Sequence, residues 1–300
     1  MSRVALALVA GCLVLAACTG PQTPPEEPTT PPAAEVCSGQ SQQELIVGGQ
    51  PRSHLVSAPD EWDGESQLPV VYFFHGLGGQ ADTALAYTGL AERVDELGFV
   101  VIAPQAIHTG SRWDYRTAVD EQGSDLAYIH ELMDTMSETD CIDADRQYVT
   151  GLSNGSALAF AMACSGEFPA QAYGGVAASL YDPECDSAPP ASIVYFHGTA
   201  DLVVPFNGGD TPLEPVAPAS QSLTRWAEHA GCDAQADTEA IGDDVELFRW
   251  PSCGDHPVHA YVIDGGGHTW PGATPFDGLG ETTQTVDASD VMLEFFGLTE

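Results

Sequence analysis

The residues best suited to chemistry in this 300-residue chain are a serine, an aspartate and a histidine, in that order. Gly151-Leu152-Ser153-Asn154-Gly155 is a G-x-S-x-G pattern, and its setting matters more than the string. The residues before it, Arg146–Thr150, read as a strand, and those after it read as a helix. A sharp strand-to-helix turn lifts a serine hydroxyl out of the backbone and offers it as a nucleophile. A bland Gly-Ser turn is the alternative. Such a serine needs a base and an orienting acid. His268 is the one histidine beyond residue 260, and it follows a strand on a Gly-rich loop, Gly265-Gly266-Gly267-His268. Asp201 follows another strand in His197-Gly198-Thr199-Ala200-Asp201 and is the expected acid, with Asp182 and Asp210 as competitors. An oxyanion would require backbone N–H donors. Asn154, next to the serine, supplies one. Leu77, in the loop His75-Gly76-Leu77-Gly78-Gly79 after an apolar strand, is expected to supply the other, with Gly78 as alternative. His75 and His197 read as structural. Trp113, in a polar stretch, Tyr115 and Trp270 are the aromatics expected to line a substrate pocket, Trp113 and Trp270 foremost. His256 and His259 lack the acidic company of a metal site, so neither metal nor cofactor is expected.

These residues must be held by a frame. Short apolar runs at Pro69–Phe74, Phe99–Ala103, Gln147–Thr150, Ser192–Phe196 and His259–Ile263 read as buried parallel strands. Helical spacing appears over Asp125–Met136, where Ser124 is a candidate N-cap, and over Ser156–Cys164, Ser220–Ala230 and Ala288–Phe296. Alternation of this kind gives one α/β domain, residues 37–300, with a mostly parallel sheet flanked by helices.

Charge narrows the partners. The chain has 44 acidic residues against 8 basic ones, all arginine, for a net charge of −36. Nucleic acid needs clustered cations and is excluded. Anionic lipid surfaces would be repelled. A surface this acidic also fits work in concentrated salt, or simply a soluble acidic exported protein.

The first residues read as an export signal. Arg3 precedes an apolar run, Val4 to Ala17, too short to span a bilayer comfortably. Leu15-Ala16-Ala17-Cys18 reads as a lipobox with Cys18 as the lipidated residue; ordinary cleavage and free secretion is the alternative. Residues 18–36, rich in Pro, Thr and Glu, read as a tether. The expected protein is a monomer in the cell envelope or outside it, touching membrane only through that lipid. Beyond Cys12 and Cys18, six cysteines remain, and an even number in an exported chain reads as three disulfides. Six allow fifteen pairings. The expected set is Cys232–Cys253, which would steady the segment before the His268 loop, then Cys164–Cys185, and Cys37–Cys141 by elimination.

Taken jointly, Arg52-Ser53, His75-Gly76-Leu77-Gly78-Gly79, Cys141-Ile142-Asp143, the serine elbow, His197-Gly198-Thr199-Ala200-Asp201 and Gly266-Gly267-His268-Thr269-Trp270-Pro271-Gly272 resemble the secreted esterases related to polyhydroxybutyrate depolymerases, a group that includes feruloyl and acetylxylan esterases. The likeness runs over about residues 37–297. It implies an α/β-hydrolase fold and hydrolysis of carboxylic esters (hydroxycinnamoyl, acetyl or short hydroxyalkanoate) by Ser153, Asp201 and His268. Asn154 is more similar to the feruloyl-esterase branch. A peptidase on the same fold and a catalytically silent surface-binding lipoprotein are the rival readings.

Overall fold

The computed structural model describes residues 31–117, 124–178, 183–211 and 213–299. Residues 1–17, expected as an export signal, Cys18 and the acid competitor Asp182 lie outside the described residues. The elements in chain order are α1 (Ala33–Val36), β1 (Gln40–Val47), β2 (Gln50–Ser57), β3 (Leu68–Phe74), α2 (Ala81–Thr88), α3 (Val94–Leu97), β4 (Val100–Pro104), α4 (Asp125–Ser137), β5 (Ile142–Gly151), α5 (Asn154–Ser165), β6 (Ala172–Val176), β7 (Ser192–Gly198), α6 (Ala219–His229), β8 (Asp237–Ile241), β9 (Val245–Arg249), β10 (Val258–Ile263) and α7 (Ala288–Phe295).

The strands form one sheet in the order β1-β2-β4-β3-β5-β6-β7-β10-β9-β8. Its centre, from β4 to β10, is parallel. Antiparallel hairpins, β1–β2 and β8–β9, extend the two edges. The pattern of β3 explains the layering. Val70, Tyr72 and Phe74 belong to one apolar cluster, which they share with Leu126, Ile129, Met133, Phe160 and Trp226 of α4, α5 and α6. Val71 and Phe73 point the other way, into a cluster with Leu85 of α2 and Met292 and Leu293 of α7. Side chains alternate along a strand, so a run buried throughout needs helices on both faces. This is the fold of the α/β-hydrolase esterases. The Ser124 hydroxyl accepts from Ala127 N–H at 3.0 Å and caps α4.

The packed body begins earlier than the boundary at residue 37. Ala33–Val36 already forms a helical turn, and Val36 is fully buried. An apolar side chain there gains more from the core than from solvent. Three disulfides join Cys37 to Cys141, Cys164 to Cys185 and Cys232 to Cys253. Such bonds persist in oxidising, extracellular settings.

The parallel centre sets up the chemistry. Chain segments leave the carboxyl ends of β3, β4, β5, β7 and β10 along one edge of the sheet. Open α/β sheets form their sites at that edge.

Candidate active site

Ser153 sits between β5 and α5 with φ 56° and ψ −119°, a positive-φ conformation that L side chains rarely adopt. The neighbouring strands hold it there. Leu152 N–H donates to Phe74 O at 3.1 Å and Ser153 N–H to Val176 O at 2.8 Å. The flanking glycines are required by contact. A Cβ on Gly155 would lie 2.1 Å from Phe74 O, and one on Gly151 would lie 2.5 Å from the Gly155 carbonyl. Ser156 Oγ, one turn further, donates to Ala178 O at 2.6 Å.

Asp201 and His268 come from the ends of β7 and β10, which pair in parallel register. Their loops interlock: Thr199 N–H donates to Ile263 O and Ala200 N–H to Gly266 O, both at 2.9 Å. His268 is fixed by its own N–H, which donates to Leu279 O at 2.6 Å. The result is a buried pair in which His268 Nδ1 lies 2.7 Å from Asp201 Oδ2. The other oxygen, Oδ1, accepts from Val203 N–H at 2.8 Å and Val204 N–H at 2.9 Å. Burial pushes the Asp201 carboxyl up, but hydrogen bonds from His197 and His268 outweigh it and hold the group well below the usual carboxylate range. An ionised acid behind Nδ1 keeps that nitrogen protonated and leaves Nε2 free to act as a base. Asp210, by contrast, is exposed.

Ser153, Asn154, Leu77 and His268 line one cavity of about 800 Å³. Among the described residues, neither the Leu77 nor the Asn154 N–H has a protein acceptor, whereas Gly78 N–H already donates to Gly110 O at 3.0 Å. The N–H groups of Leu77 and Asn154 are thus both available to an oxyanion. His75 braces their loop. Its Nδ1 faces Gly76 O at 2.8 Å, and its Nε2 accepts from Ala106 N–H at 3.2 Å. Burial lowers its pKa and keeps it neutral in that role.

The two tryptophans are a correction. Neither lines the cavity. Trp113 is 1% exposed, and its indole N–H donates to His75 O at 2.9 Å. Trp270 is fully buried, packs edge-on against Phe73 and donates to Ser289 Oγ at 3.1 Å. A large ring whose one polar atom finds a partner is more stable inside than at a pocket wall. The stretch around Trp113 does run beside the site, but the ring turns inward. Asn154 explains this: its side chain accepts from Trp113 N–H at 2.7 Å and donates to Trp113 O at 3.2 Å, latching that loop to the elbow. A second anchor is the buried pair of Arg52 and Asp125. The other oxygen of Asp125 accepts from Asp114 N–H at 2.7 Å.

Tyr115, expected on the pocket, does line the cavity, but its partners on the wall have no signal in the sequence. Tyr115 OH donates to Glu214 Oε1 at 2.6 Å, and Arg116 Nη2 donates to the same oxygen at 2.9 Å. Leu77, Leu213 and Phe276 are solvent-exposed apolar side chains on its lining. These partners are nearly a hundred residues apart in the chain, beyond any local pattern. Among the described residues, no group of three or more metal-ligating side chains is found.

A family model described as chlorophyllase matches residues 35–171, less than half of the chain, and includes the elbow but neither Asp201 nor His268. The probable feruloyl esterase C of Aspergillus niger is 28% identical over 256 residues, covering 82% of this chain and 83% of that protein. Feruloyl esterase C of Emericella nidulans is 25% identical over 225 residues, covering 72% and 76%. The chain is an esterase with an α/β-hydrolase fold, and it is similar to the feruloyl esterases. Its fold is similar to that of the acetyl xylan esterase from Aspergillus awamori, with a TM-score of 0.63 at 19% identity over 86% of this chain and all of the other.

Proposed function

We propose that this esterase cleaves hydroxycinnamoyl esters through an acyl-enzyme on Ser153, with His268 as base and Asp201 as orienting acid. The observation that carries the reading is the buried Asp201–His268 pair, 2.7 Å apart, opening on the same cavity as a serine held at positive φ. His268 Nε2 takes the Ser153 proton as Oγ attacks the ester carbonyl. The N–H groups of Leu77 and Asn154 receive the charge that develops on the carbonyl oxygen. The alcohol leaves with the proton from His268, and water, activated by the same nitrogen, releases the acid.

Cavity shape supports the acyl class. An acetyl group would occupy little of about 800 Å³, whereas Tyr87, Tyr115 and Phe276 offer aromatic surface to a planar aryl acid. The relatives named as feruloyl esterases point the same way. The reading includes export, with residues 1–17 as signal and Cys18 as lipid anchor ahead of a tether.

The test is Ser153→Ala against wild type on methyl ferulate, acetylated xylan, p-nitrophenyl butyrate and hydroxybutyrate oligomers, with fluorophosphonate labelling. We expect labelling at Ser153, loss of all hydrolysis in the variant and the highest kcat/KM on ferulate. An unlabelled Ser153, or a variant keeping more than a small fraction of activity, refutes the mechanism. A preference for acetyl or hydroxybutyrate esters refutes the substrate class alone. Lipidation is read from labelled fatty acid incorporated by wild type but not by Cys18→Ser.

A further inference from the structure

The mechanism above uses one histidine on Asp201, but the carboxylate has two. His197 Nε2 lies 3.1 Å from the same oxygen, Oδ2, that meets His268 at 2.7 Å. Its Nε2 also faces Val204 O at 2.9 Å. A ring nitrogen set between two acceptors must carry the proton, so Nε2–H is the donor. In the neutral ring Nδ1 is then a lone pair, and the Tyr195 hydroxyl, in contact with it, donates. Tyr195 and His197 are two residues apart on β7 and so share one face of the sheet. Phe206 packs edge-on against the His197 ring, with centroids 5.4 Å apart. Tyr195 and Asp201 are buried, and His197 is only 2% exposed.

We propose that His197, held in one tautomer by Tyr195, is a positioning residue that clamps Asp201 Oδ2 and tunes how strongly the carboxylate acts on His268. The proposal rests on the Ser153–His268–Asp201 reading. Oδ1 has its two backbone donors, and these alone leave the carboxylate free to tilt about them. A third fixed donor on Oδ2 stops that tilt and draws charge away from the oxygen that His268 uses. A carboxylate without it would hold imidazolium more tightly and orient it less well. Among the described residues, the ionisable groups facing the carboxylate are His197 from β7 and His268 from the β10 loop. Tyr195 faces His197 from the far side. On the cavity side, the charged neighbours on the lining are Arg116 and Glu214, which pair with each other.

Removing the clamp has two readable effects. The chemical step slows because Asp201 is less well aimed. The acid limb of kcat/KM moves to higher pH, since His268 stays protonated, and so inactive as a base, further up the scale. A residue that only stabilised the fold would change the amount of active protein and leave the limb where it is.

The experiment compares His197→Leu, His197→Gln and Tyr195→Phe with wild type on p-nitrophenyl butyrate from pH 5 to 9, scaled to folded protein by circular dichroism. For His197→Leu we expect kcat to fall about ten-fold or more, the effect of losing a hydrogen bond to a charged group. KM should stay within about two-fold, and the acid limb should rise by about half a pH unit or more. His197→Gln, which keeps an N–H donor, should recover part of both, and Tyr195→Phe should shift the limb less but in the same direction. A folded His197→Leu with an unmoved limb overturns the proposal, as does equal loss in Leu and Gln. If His197→Leu does not fold, Tyr195→Phe decides, and an unmoved limb there overturns it. Ser153→Ala and His268→Ala run alongside. Activity in either would mean that the underlying mechanism has failed, and the clamp with it. Inactivity in both, with an unmoved limb in the β7 variants, would mean that only the clamp has failed.

Discussion

Ser153→Gly should yield a more stable protein that is catalytically dead. The serine is held at φ 56° and ψ −119°. A non-glycine residue kept in such a sparsely populated region costs about 1–3 kcal/mol. Glycine adopts the conformation freely but makes the unfolded chain more flexible, which takes back about 0.4–1 kcal/mol. The balance is a gain of roughly 0.5–2 kcal/mol in the folded state. In a domain of this size, 1 kcal/mol moves the melting temperature by about 2–4 °C, so a rise of a few degrees is expected. Ser153→Ala is the control, because it removes the same hydroxyl yet keeps the Cβ and with it the strain. The assay is thermal unfolding of both variants with the disulfides intact, in the same buffer. If Ser153→Gly melts at or below Ser153→Ala, the elbow is not strained and the positive φ stores nothing.

Three further outcomes follow from the same geometry. Asp201→Asn should lower kcat by several orders of magnitude with little change in KM, because the amide cannot accept from Nδ1–H as a charged oxygen does; near-full kcat would move the acid elsewhere. Burial lowers the pKa of His54 from 6.5 to about 4. Between those values the unfolded chain binds a proton that the folded chain refuses. Stability should therefore fall as pH drops through that window, by about 3 kcal/mol from this group, and Asp201 should add a further loss below the ordinary carboxylate range. Denaturant unfolding of wild type and His54→Leu from pH 7 to 4 reads this, and equal slopes would refute it. With 44 acids against 8 arginines, the melting temperature of chelator-treated protein should rise from low salt to molar NaCl, and a flat or falling series would rule out salt adaptation of the surface.

The sequence reveals what is local and hides what is long-range. β3, β4, β7 and the carboxyl half of β5 stand out because strand segments buried on both faces are largely apolar, and Ser153 and Asp201 come soon after β5 and β7. β6 does not, because Ala172-Tyr173-Gly174-Gly175-Val176 has neither bulk nor alternation. The glycines there are an answer to packing. A Cβ on Gly174 would lie 3.0 Å from Met292 Sδ of α7, and one on Gly175 would lie 2.3 Å from Ser156 Oγ of α5. The hairpins at both edges escape notice for the opposite reason. β1 is polar and half-exposed, and β8 is exposed along almost all its length. In the candidate site, the residues of the proposed triad can be picked out in chain order, but which of the neighbouring aromatics turn to the cavity cannot. Trp113 and Tyr115 are two residues apart in one loop, yet one fills the core and the other reaches Glu214. That division depends on Asn154 and His75, which lie 41 and 38 residues from Trp113.

Two buried aspartates in this acid-rich chain meet their donors in opposite ways, and the difference fits the tasks proposed for them. Asp125 meets Arg52 at full burial, so its charge is cancelled where it stands. Its work is mechanical: it joins β2 and α4 to the loop at Asp114, and a neutral pair does that without projecting a field. Asp201 has no arginine. Its donors are two backbone N–H groups and two histidines. Such donors favour the charged form of a carboxylate but do not cancel its charge. An arginine at that point would also hold Asp201 ionised, but it would neutralise the field that, in the proposed mechanism, favours imidazolium when His268 takes the serine proton. A chain with few cations sets Arg52 against a carboxylate whose work is structural, and holds Asp201 by hydrogen bonds alone, which leaves its charge to act on His268 in the proposed mechanism.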